Sequence, residues 1–278
     1  MCGGDLLAWV WAGVVRAGSL KLLMNVIVCV KQIPDPALPG ELDPSTNTLK
    51  RDGKLILDES DSYGVEMALQ LVTAAGGGEV SLVSMAPNDE TSGLRTALAM
   101  GAAKAVLVSD PSLAGADALT TAKVLAAASK KLGEVDLIIG ATESSDGYTG
   151  TVPEQIAEVL GLPSITFAKS IEIADGTLKV ARQTEAGYDE VTCSLPAVVS
   201  VTAGVVEPRY PSFKGIMAAK SKPVETITAA DLGIESVSWA QQIVSVEDAP
   251  ARDAGEVIED DGEAFNKIVE FLDNLKVI

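Results

Sequence analysis

From Met24 onward the chain alternates short apolar runs with amphipathic stretches, and this alternation is what most restricts its fold. The apolar runs suit buried strands, whereas the stretches between them carry apolar residues at helical spacing. A βαβαβαβα order is typical of an open parallel sheet with helices on both faces. The predicted strands are 25–30, 79–85, 105–108 and 135–140, and the predicted helices are 62–75, 88–100 (capped by Asn88), 116–132 and 152–160.

The remaining segments depart from this alternation. Residues 34–57 are polar and rich in Pro and Gly, which predicts a loop excursion with a small hairpin around Asp52-Gly53. Residues 164–202 read as strands joined by hairpins, and Asp175-Gly176 is a strong two-residue turn signal, so we expect antiparallel additions to the sheet. An extended acidic arm over 234–262 and a terminal amphipathic helix over 263–275 are predicted after the main domain, 24–233.

Composition narrows the class of protein. Apolar residues make up 47% of the 278 residues but aromatics only 4%, which suits parallel strands covered by Ala-rich helices. Lys plus Arg number 21 against 39 Asp plus Glu, and the net charge of −18 would repel a nucleic acid. A small nucleotide stays possible, because backbone N–H groups hold phosphate without basic side chains.

Residue usage also argues against a conventional enzyme. The absence of histidine removes the usual general base, every His-based triad and every His-ligated metal site. The three cysteines form no CxxC pair, so a reducing compartment is the simpler interpretation, and we expect a cytoplasmic protein. No Walker A, G-x-G-x-x-G or G-x-S-x-G motif occurs, and no catalytic residue is predicted.

Residues 1–23 differ in character from the rest of the chain. Trp9 and Trp11 lie in an apolar run that is too short to span a bilayer, and Asp5 stands where a secretory signal would carry positive charge. Since Met24 directly precedes a strong strand, residues 1–23 are interpreted as a leader or upstream-start extension. A membrane-touching anchor is the alternative, and no stable membrane insertion is expected.

The loop at 141–151 joins a buried strand to a helix and is a candidate ligand site. Ligands of open α/β sheets bind beyond the carboxyl ends of the strands. Small residues at 149–151 would let a phosphate approach the free N–H groups of the following helix, for which Thr151 and Glu154 predict a capping box. An ordinary strand-to-helix loop explains the same residues equally well.

The segment 206–223, VEPRYPSFKGIMAAKSKP, is a candidate protein-docking surface. Its prolines restrict the chain before a partner arrives, and Phe213 offers an aromatic anchor of the kind that hot spots use. A core Phe that packs the segment onto its own domain is the alternative. Three lysines, Lys214, Lys220 and Lys222, are interpreted as a solvated face and not as a binding site, although their charge could steer acidic partners.

This segment resembles the recognition loop of the electron transfer flavoprotein β subunit. The resemblance rests on Glu207-Pro-Arg-Tyr210 and Ile216-Met217, and it extends over about 24–278. Further matches in the same order are Val30-Lys31, Arg95-Thr-Ala-Leu-Ala-Met-Gly-Ala102, Leu195-Pro-Ala-Val-Val199 and Ser245-Val-Glu-Asp-Ala-Pro250. The family implies a Rossmann-like, adenine-nucleotide α-hydrolase-like fold with a C-terminal arm that packs on the α subunit.

The resemblance further implies AMP in this subunit and FAD held mainly by a larger α subunit. The residues that match the family's AMP site are Cys29, Asp58, Met85, Asp146, Thr149, Gly150 and Thr151. Many relatives carry Asn-Gln-Thr where this chain has Thr149-Gly150-Thr151, which affects side-chain contacts to the phosphate more than backbone ones.

The family's role is to carry electrons from acyl-CoA and other flavoprotein dehydrogenases towards the respiratory chain, while the flavin domain of α swings on a β platform. The residues that match its docking surface are Phe213, Pro208, Arg209, Tyr210, Ile216 and Met217. Gln183 stands where relatives often have an acidic residue that contacts the flavin domain. Two alternatives stay open: a free-standing ATP- or AMP-binding stress protein, and a bifurcating relative with FAD in this subunit.

Overall fold

The computed structural model describes residues 23–234, 240–247, 250 and 255–278. The chain divides into two compact units after Gln242. The predicted leader, apart from residue 23, and parts of the predicted arm lie outside the described residues. None of the described helices is both long enough and apolar enough to span a membrane. The domain bounds expected from the sequence stay a prediction.

The secondary structure follows the predicted alternation closely. The strands are β1 (Met24–Cys29), β2 (Gln32–Pro34), β3 (Leu55–Leu57), β4 (Gly78–Ala86), β5 (Lys104–Ser109), β6 (Leu137–Ala141), β7 (Ser164–Ala174), β8 (Thr177–Thr184), β9 (Gly187–Ser194), β10 (Ala197–Val201) and β11 (Val224–Ile227). The helices are α1 (Glu59–Ala74), α2 (Ser92–Met100), α3 (Ala118–Lys131), α4 (Val152–Leu160), α5 (Phe213–Ala219) and α6 (Ala264–Asn274).

The described strands form a nine-stranded sheet in the order β11-β5-β4-β1-β6-β10-β7-β8-β9, and β2 pairs with β3 separately. Pairing is parallel from β11 to β7 and antiparallel from β7 to β9. The predicted open α/β fold with antiparallel additions is therefore confirmed. The turn at Asp175-Gly176 has positive φ at both residues, 50° and 73°, as a two-residue hairpin requires.

Strand alternation divides the interior into two cores, one on each face of the sheet. Val26 and Leu82 face the core that α1 and α2 cover, whereas Ile27 and Val83 face the core that α3 and α4 cover. Strand β1 lies between β4 and β6, so the chain winds outward in both directions from it. This arrangement creates a topological switch point at the carboxyl ends of β1 and β6, where open sheets bind ligands.

The hairpin predicted around Asp52-Gly53 is wrong, because both residues lie in irregular backbone ahead of β3. The chain reverses earlier, where Leu42 and Leu49 form an isolated antiparallel bridge. Stronger turn chemistry lies within that reversal, since the side chain of Asp43 accepts hydrogen bonds from the N–H and the hydroxyl of Ser45. The earlier turn brings β2 and β3 together, so no second hairpin is needed.

Two helix starts also differ from the prediction. Asn88 does not cap α2, because the carboxylate of Glu90 accepts from the N–H groups of Thr91 (2.9 Å) and Ser92 (2.7 Å), so the helix begins at Ser92. Helix α1 begins three residues earlier than predicted, because Asp58 caps it. The short strand β11 was not predicted, since four residues with little alternation give no clear signal.

Candidate functional site

The switch point holds a small cluster of charged side chains around Asp146, which lies in the β6–α4 loop (residues 142–151). Its Oδ1 accepts from the Nζ of Lys31 at 2.6 Å, and its Oδ2 pairs with Arg51. Burial alone would raise the pKa of Asp146, but the two cations outweigh it and hold that pKa below its usual range. The predicted site residue Asp146 is therefore ionised and anchored between two cations.

Asp58 connects the β6–α4 loop to helix α1. Its side chain is fully buried, its Oδ1 accepts from the N–H of Ser60 at 3.0 Å, and its Oδ2 accepts from the N–H of Ser145 at 2.7 Å. Both carboxylate oxygens are thus occupied by backbone donors. In this arrangement Asp58 acts on the site by fixing the loop against the helix start.

Cys29 and Met85 lie on the other face of the sheet, where both pack against the core beneath α3 and α4. Burial, with a smaller contribution from Asp61, raises the pKa of the Cys29 thiol to about 12. Burial also raises the pKa of Asp61, which accepts from the N–H of Lys31 at 2.6 Å. Since the thiolate is the reactive form, the thiol of Cys29 is unreactive at neutral pH.

The amino end of α4 presents unused backbone donors. Among the described residues, the N–H groups of Gly150 and Thr151 donate to no protein oxygen, and Thr151 makes no capping bond with its side chain. The predicted capping box is therefore wrong: Oε2 of Glu154 is buried without a partner in the described part of the chain. Free N–H groups and the positive end of the helix dipole fit a phosphate.

Gly150 has a conformation that favours glycine. Its φ is +68°, in the left-handed region, and a Cβ added there would lie 3.4 Å from Oε2 of Glu143. The backbone of the loop therefore turns tightly just before the free donors. Thr149 is exposed at the same turn. The structure thus brings Asp58, Asp146 and residues 149–151 to one edge of the sheet.

A cleft of about 630 Å³ opens beside the Asp146 cluster, on the side of α1. Its lining combines apolar side chains, such as Ile33, Leu49 and Tyr63, with the carboxylates of Glu59 and Asp146. The cleft is large enough for part of a small organic ligand, because such sites usually measure roughly 300–1,000 Å³.

The 206–223 segment contains α5, and most of its apolar side chains face solvent. Phe213 is 80% exposed and Tyr210 is 92% exposed, while Ile216 and Met217 are about half exposed. Ser212 caps the helix through a bond from the N–H of Gly215 at 3.0 Å. The alternative of a core Phe is wrong, because Phe213 does not pack into its own domain.

Arg209 pairs within this chain. Its Nε lies 2.6 Å from Oε2 of Glu66 and its Nη2 lies 3.0 Å from Oε1, while its backbone N–H adds a third contact at 3.3 Å. Burial would raise the pKa of Glu66, but Arg209 and Gln70 outweigh it and hold that pKa below its usual range. This bidentate pair fixes the start of the segment on α1.

The lysines of the segment do not form one face. Lys214 and Lys220 are exposed, as predicted, but Lys222 is half-buried and donates to backbone carbonyls at the end of α2. Gln183 is exposed on β8, beside Arg182, whose Nε donates to Oγ1 of Thr166 at 3.3 Å.

Sequence reasoning missed several residues that shape the site, namely Lys31, Arg51, Asp61, Glu66 and Ser145. Lys31 had a usable signal, since it lies just after β1 at the edge where ligands bind. The others had none, because their partners are 30 to 143 residues away along the chain.

The fold and this edge define an open-sheet α/β protein with a candidate ligand site at its switch point and an exposed apolar helix in the same chain. A model of the family described as electron transfer flavoprotein domain matches residues 46–232. The electron transfer flavoprotein subunit beta of Mycobacterium tuberculosis (strain ATCC 25618 / H37Rv) is 39% identical over 266 residues, which cover 92% of this chain and 100% of the relative.

Two further relatives are also similar to this chain over most of its length. The electron transfer flavoprotein subunit beta of Thermoanaerobacterium thermosaccharolyticum is 35% identical over 263 residues, which cover 92% of this chain and 100% of the relative. The Caffeyl-CoA reductase-Etf complex subunit CarD of Acetobacterium woodii is 35% identical over 241 residues, covering 84% of this chain and 92% of CarD. The chain therefore belongs to the electron transfer flavoprotein β subunit family, which gives it a role in electron transfer.

Proposed function

We propose that this chain is the β subunit of a heterodimeric electron transfer flavoprotein in the cytoplasm. It carries electrons from acyl-CoA dehydrogenases and related flavoproteins towards the respiratory chain, together with an α subunit that holds the FAD. The observation that carries this proposal is the exposed helix α5, whose apolar side chains stand out in the segment that resembles the family's recognition loop. FAD supplies the redox chemistry, and this chain supplies the surfaces that bring the partners together.

AMP fits the edge formed by the β6–α4 loop. Gly150 and Thr151 offer free N–H groups for its phosphate, and the small residues there let the phosphate approach closely. Lys31 and Arg51 add positive charge nearby, although both are paired with Asp146. The predicted set is completed by Cys29, Asp58, Met85 and Thr149. AMP carries no redox chemistry, so its role here is to order the loop.

Docking of a dehydrogenase fits the surface of α5. An exposed Phe flanked by half-exposed aliphatic side chains offers the apolar anchor that interface hot spots use. The ion pair between Arg209 and Glu66 orders the backbone before the partner arrives, which lowers the entropic cost of binding. Pro208 and Tyr210 lie in the same ordered stretch and complete the proposed surface.

The direct test is reduction of the heterodimer by a dehydrogenase. The purified complex with an α subunit is mixed with an acyl-CoA dehydrogenase and its substrate, and the flavin absorbance of the complex is followed. We expect the FAD of the complex to be reduced at a rate that saturates with complex concentration. Reduction that is no faster than with free FAD at the same concentration would contradict the proposed role.

A bifurcating relative with FAD in this subunit is the second candidate. The cleft of about 630 Å³ beside Asp146 favours it, because a ligand larger than AMP has room to extend from the β6–α4 loop into this cleft. Extraction of two FAD and no AMP per heterodimer would replace the first candidate by this one.

A further inference from the structure

The motif Arg95–Ala102 has no part in the ligand edge, yet it forms most of α2, the helix on which α5 rests. The two helices approach each other very closely at Gly215. A Cβ added to Gly215 would lie 2.4 Å from the carbonyl oxygen of Ala99, which no real side chain tolerates. Glycine at 215 therefore permits this contact, and α5 cannot shift freely along α2.

Arg95 ties the end of α5 to α2. Its Nη1 donates to the carbonyl oxygen of Ala219 at 2.8 Å and to that of Lys222 at 2.7 Å. The last carbonyls of a helix lack partners within the helix, and the Arg95 guanidinium satisfies one of them together with a carbonyl just beyond the helix. The single side chain of Arg95 thus holds both the last turn of α5 and the chain that leaves it.

Lys222, which follows α5, in turn caps the end of α2. Its Nζ donates to the carbonyl oxygens of Leu98 (2.9 Å) and Ala102 (2.6 Å) at the end of α2. Burial lowers the pKa of Lys222, in keeping with a side chain that is partly withdrawn from solvent. Each helix end is therefore capped by a cation that belongs to the other segment.

Helix α5 needs such support. It has seven residues, which is too short for a helix to persist alone in water, and only Ala219 is buried within it. Few apolar contacts hold it in place, so the polar caps and the close contact at Gly215 determine its orientation. That orientation in turn directs Phe213, Ile216 and Met217 towards solvent.

We propose that Arg95 and Lys222 are positioning residues that hold α5, and with it the exposed apolar side chains of the docking surface, in one fixed orientation. This inference rests on the docking role in the proposed function. Loss of Arg95 uncaps the last turn of α5, and loss of the Lys222 side chain releases the chain after α5 from α2. In either case a partner must order the helix as it binds. The ordering of several side chains weakens association by about tenfold or more.

The test compares Arg95→Met and Lys222→Met with the unchanged heterodimer. Both variants are expected to raise the KM for the heterodimer in dehydrogenase-driven reduction by about tenfold, with little change in kcat and with normal FAD and AMP content. Arg95→Lys keeps a cationic donor group on a shorter side chain and recovers part of the loss. Lys123→Met, which removes an exposed lysine on the opposite face of the sheet, is the matched control and leaves the KM unchanged.

Phe213→Ala in the same assay separates the docking role from the positioning role. If Phe213→Ala has no effect, the docking role itself is wrong; if it raises the KM while Arg95→Met and Lys222→Met do not, only the positioning role is wrong. Hydrogen exchange of the unchanged heterodimer gives a test that requires no variant. Amides of α5 are expected to exchange as slowly as those at the end of α2, and rapid exchange would overturn the inference.

Discussion

Truncation of Phe213 separates docking from folding because the side chain is 80% exposed. A Phe side chain presents roughly 200 Å² of surface, so about 40 Å² is buried within the chain itself and contributes about 1 kcal/mol to folding at ~25 cal/mol/Å². The remaining area of about 160 Å² is available to a partner, and its burial has an upper limit of about 4 kcal/mol.

Phe213→Ala is therefore expected to weaken dehydrogenase docking by about 2–4 kcal/mol, the range of an interface hot spot. This corresponds to a roughly 30-fold to several-hundred-fold loss in kcat/KM for dehydrogenase-driven flavin reduction. The assay follows flavin absorbance at increasing heterodimer concentration. FAD and AMP content and the melting temperature are measured on the same preparations, and only small changes are expected in them.

Two variants control this experiment. Phe213→Leu keeps an apolar side chain and should retain most of the rate, whereas Leu119→Ala removes an exposed apolar side chain from α3, on the opposite face of the sheet, and should have no effect. An unchanged rate for Phe213→Ala would refute the docking role. A rate loss accompanied by loss of FAD or AMP would show that Phe213 supports the fold instead.

Three further predictions concern the site and its supports. Gly150 and Gly161 lie at opposite ends of α4 and both have a φ of +68°, so replacing either by Ala introduces the same backbone strain. Only Gly150→Ala should reduce the AMP content of the purified complex. Arg209→Met removes the charged partner of the buried Glu66, which keeps the hydrogen bond from Gln70, and should destabilise the chain by about 1–2 kcal/mol in urea unfolding because solvent screens the half-exposed Arg209, whereas the double change to Met at both positions should recover most of that loss. Lys31 and Arg51 lower the pKa of Asp146, so these ion pairs stabilise the fold above the ordinary carboxyl pKa near ~4. That stabilisation is lost as the pH falls through the lowered pKa of Asp146. Asp146→Asn should therefore flatten the acid side of the profile of stability against pH.

Much of the fold was predictable because its signals are local. Apolar runs and helical spacing identified the core strands and α1 to α4, and Asp175-Gly176 marked its hairpin correctly. Where prediction failed, a longer-range or stronger local interaction decided the outcome. The carboxylate of Glu90 accepts from the N–H groups of Thr91 and Ser92, so α2 begins after Thr91 and not at Asn88. The turn at Asp43 likewise takes the place of the one expected further along.

The site was only partly predictable for a related reason. Residues 149–151 follow a strand and precede a helix, so their place at the ligand edge follows from local order. The partners of Asp146 and Arg209 depend on which segments the sheet brings together, and no local pattern shows that. Lys222 illustrates the limit well, because a lysine in a basic run predicts a solvated side chain, yet this one caps α2.

The most direct test of the central claim is the nucleotide content of the complex. The chain is co-expressed with an α-subunit candidate, the purified complex is denatured, and the released nucleotides are identified and counted. We expect a heterodimer that releases one FAD and one AMP. A chain that forms no complex with the α subunit, and instead purifies alone with ATP or AMP, would contradict the claim.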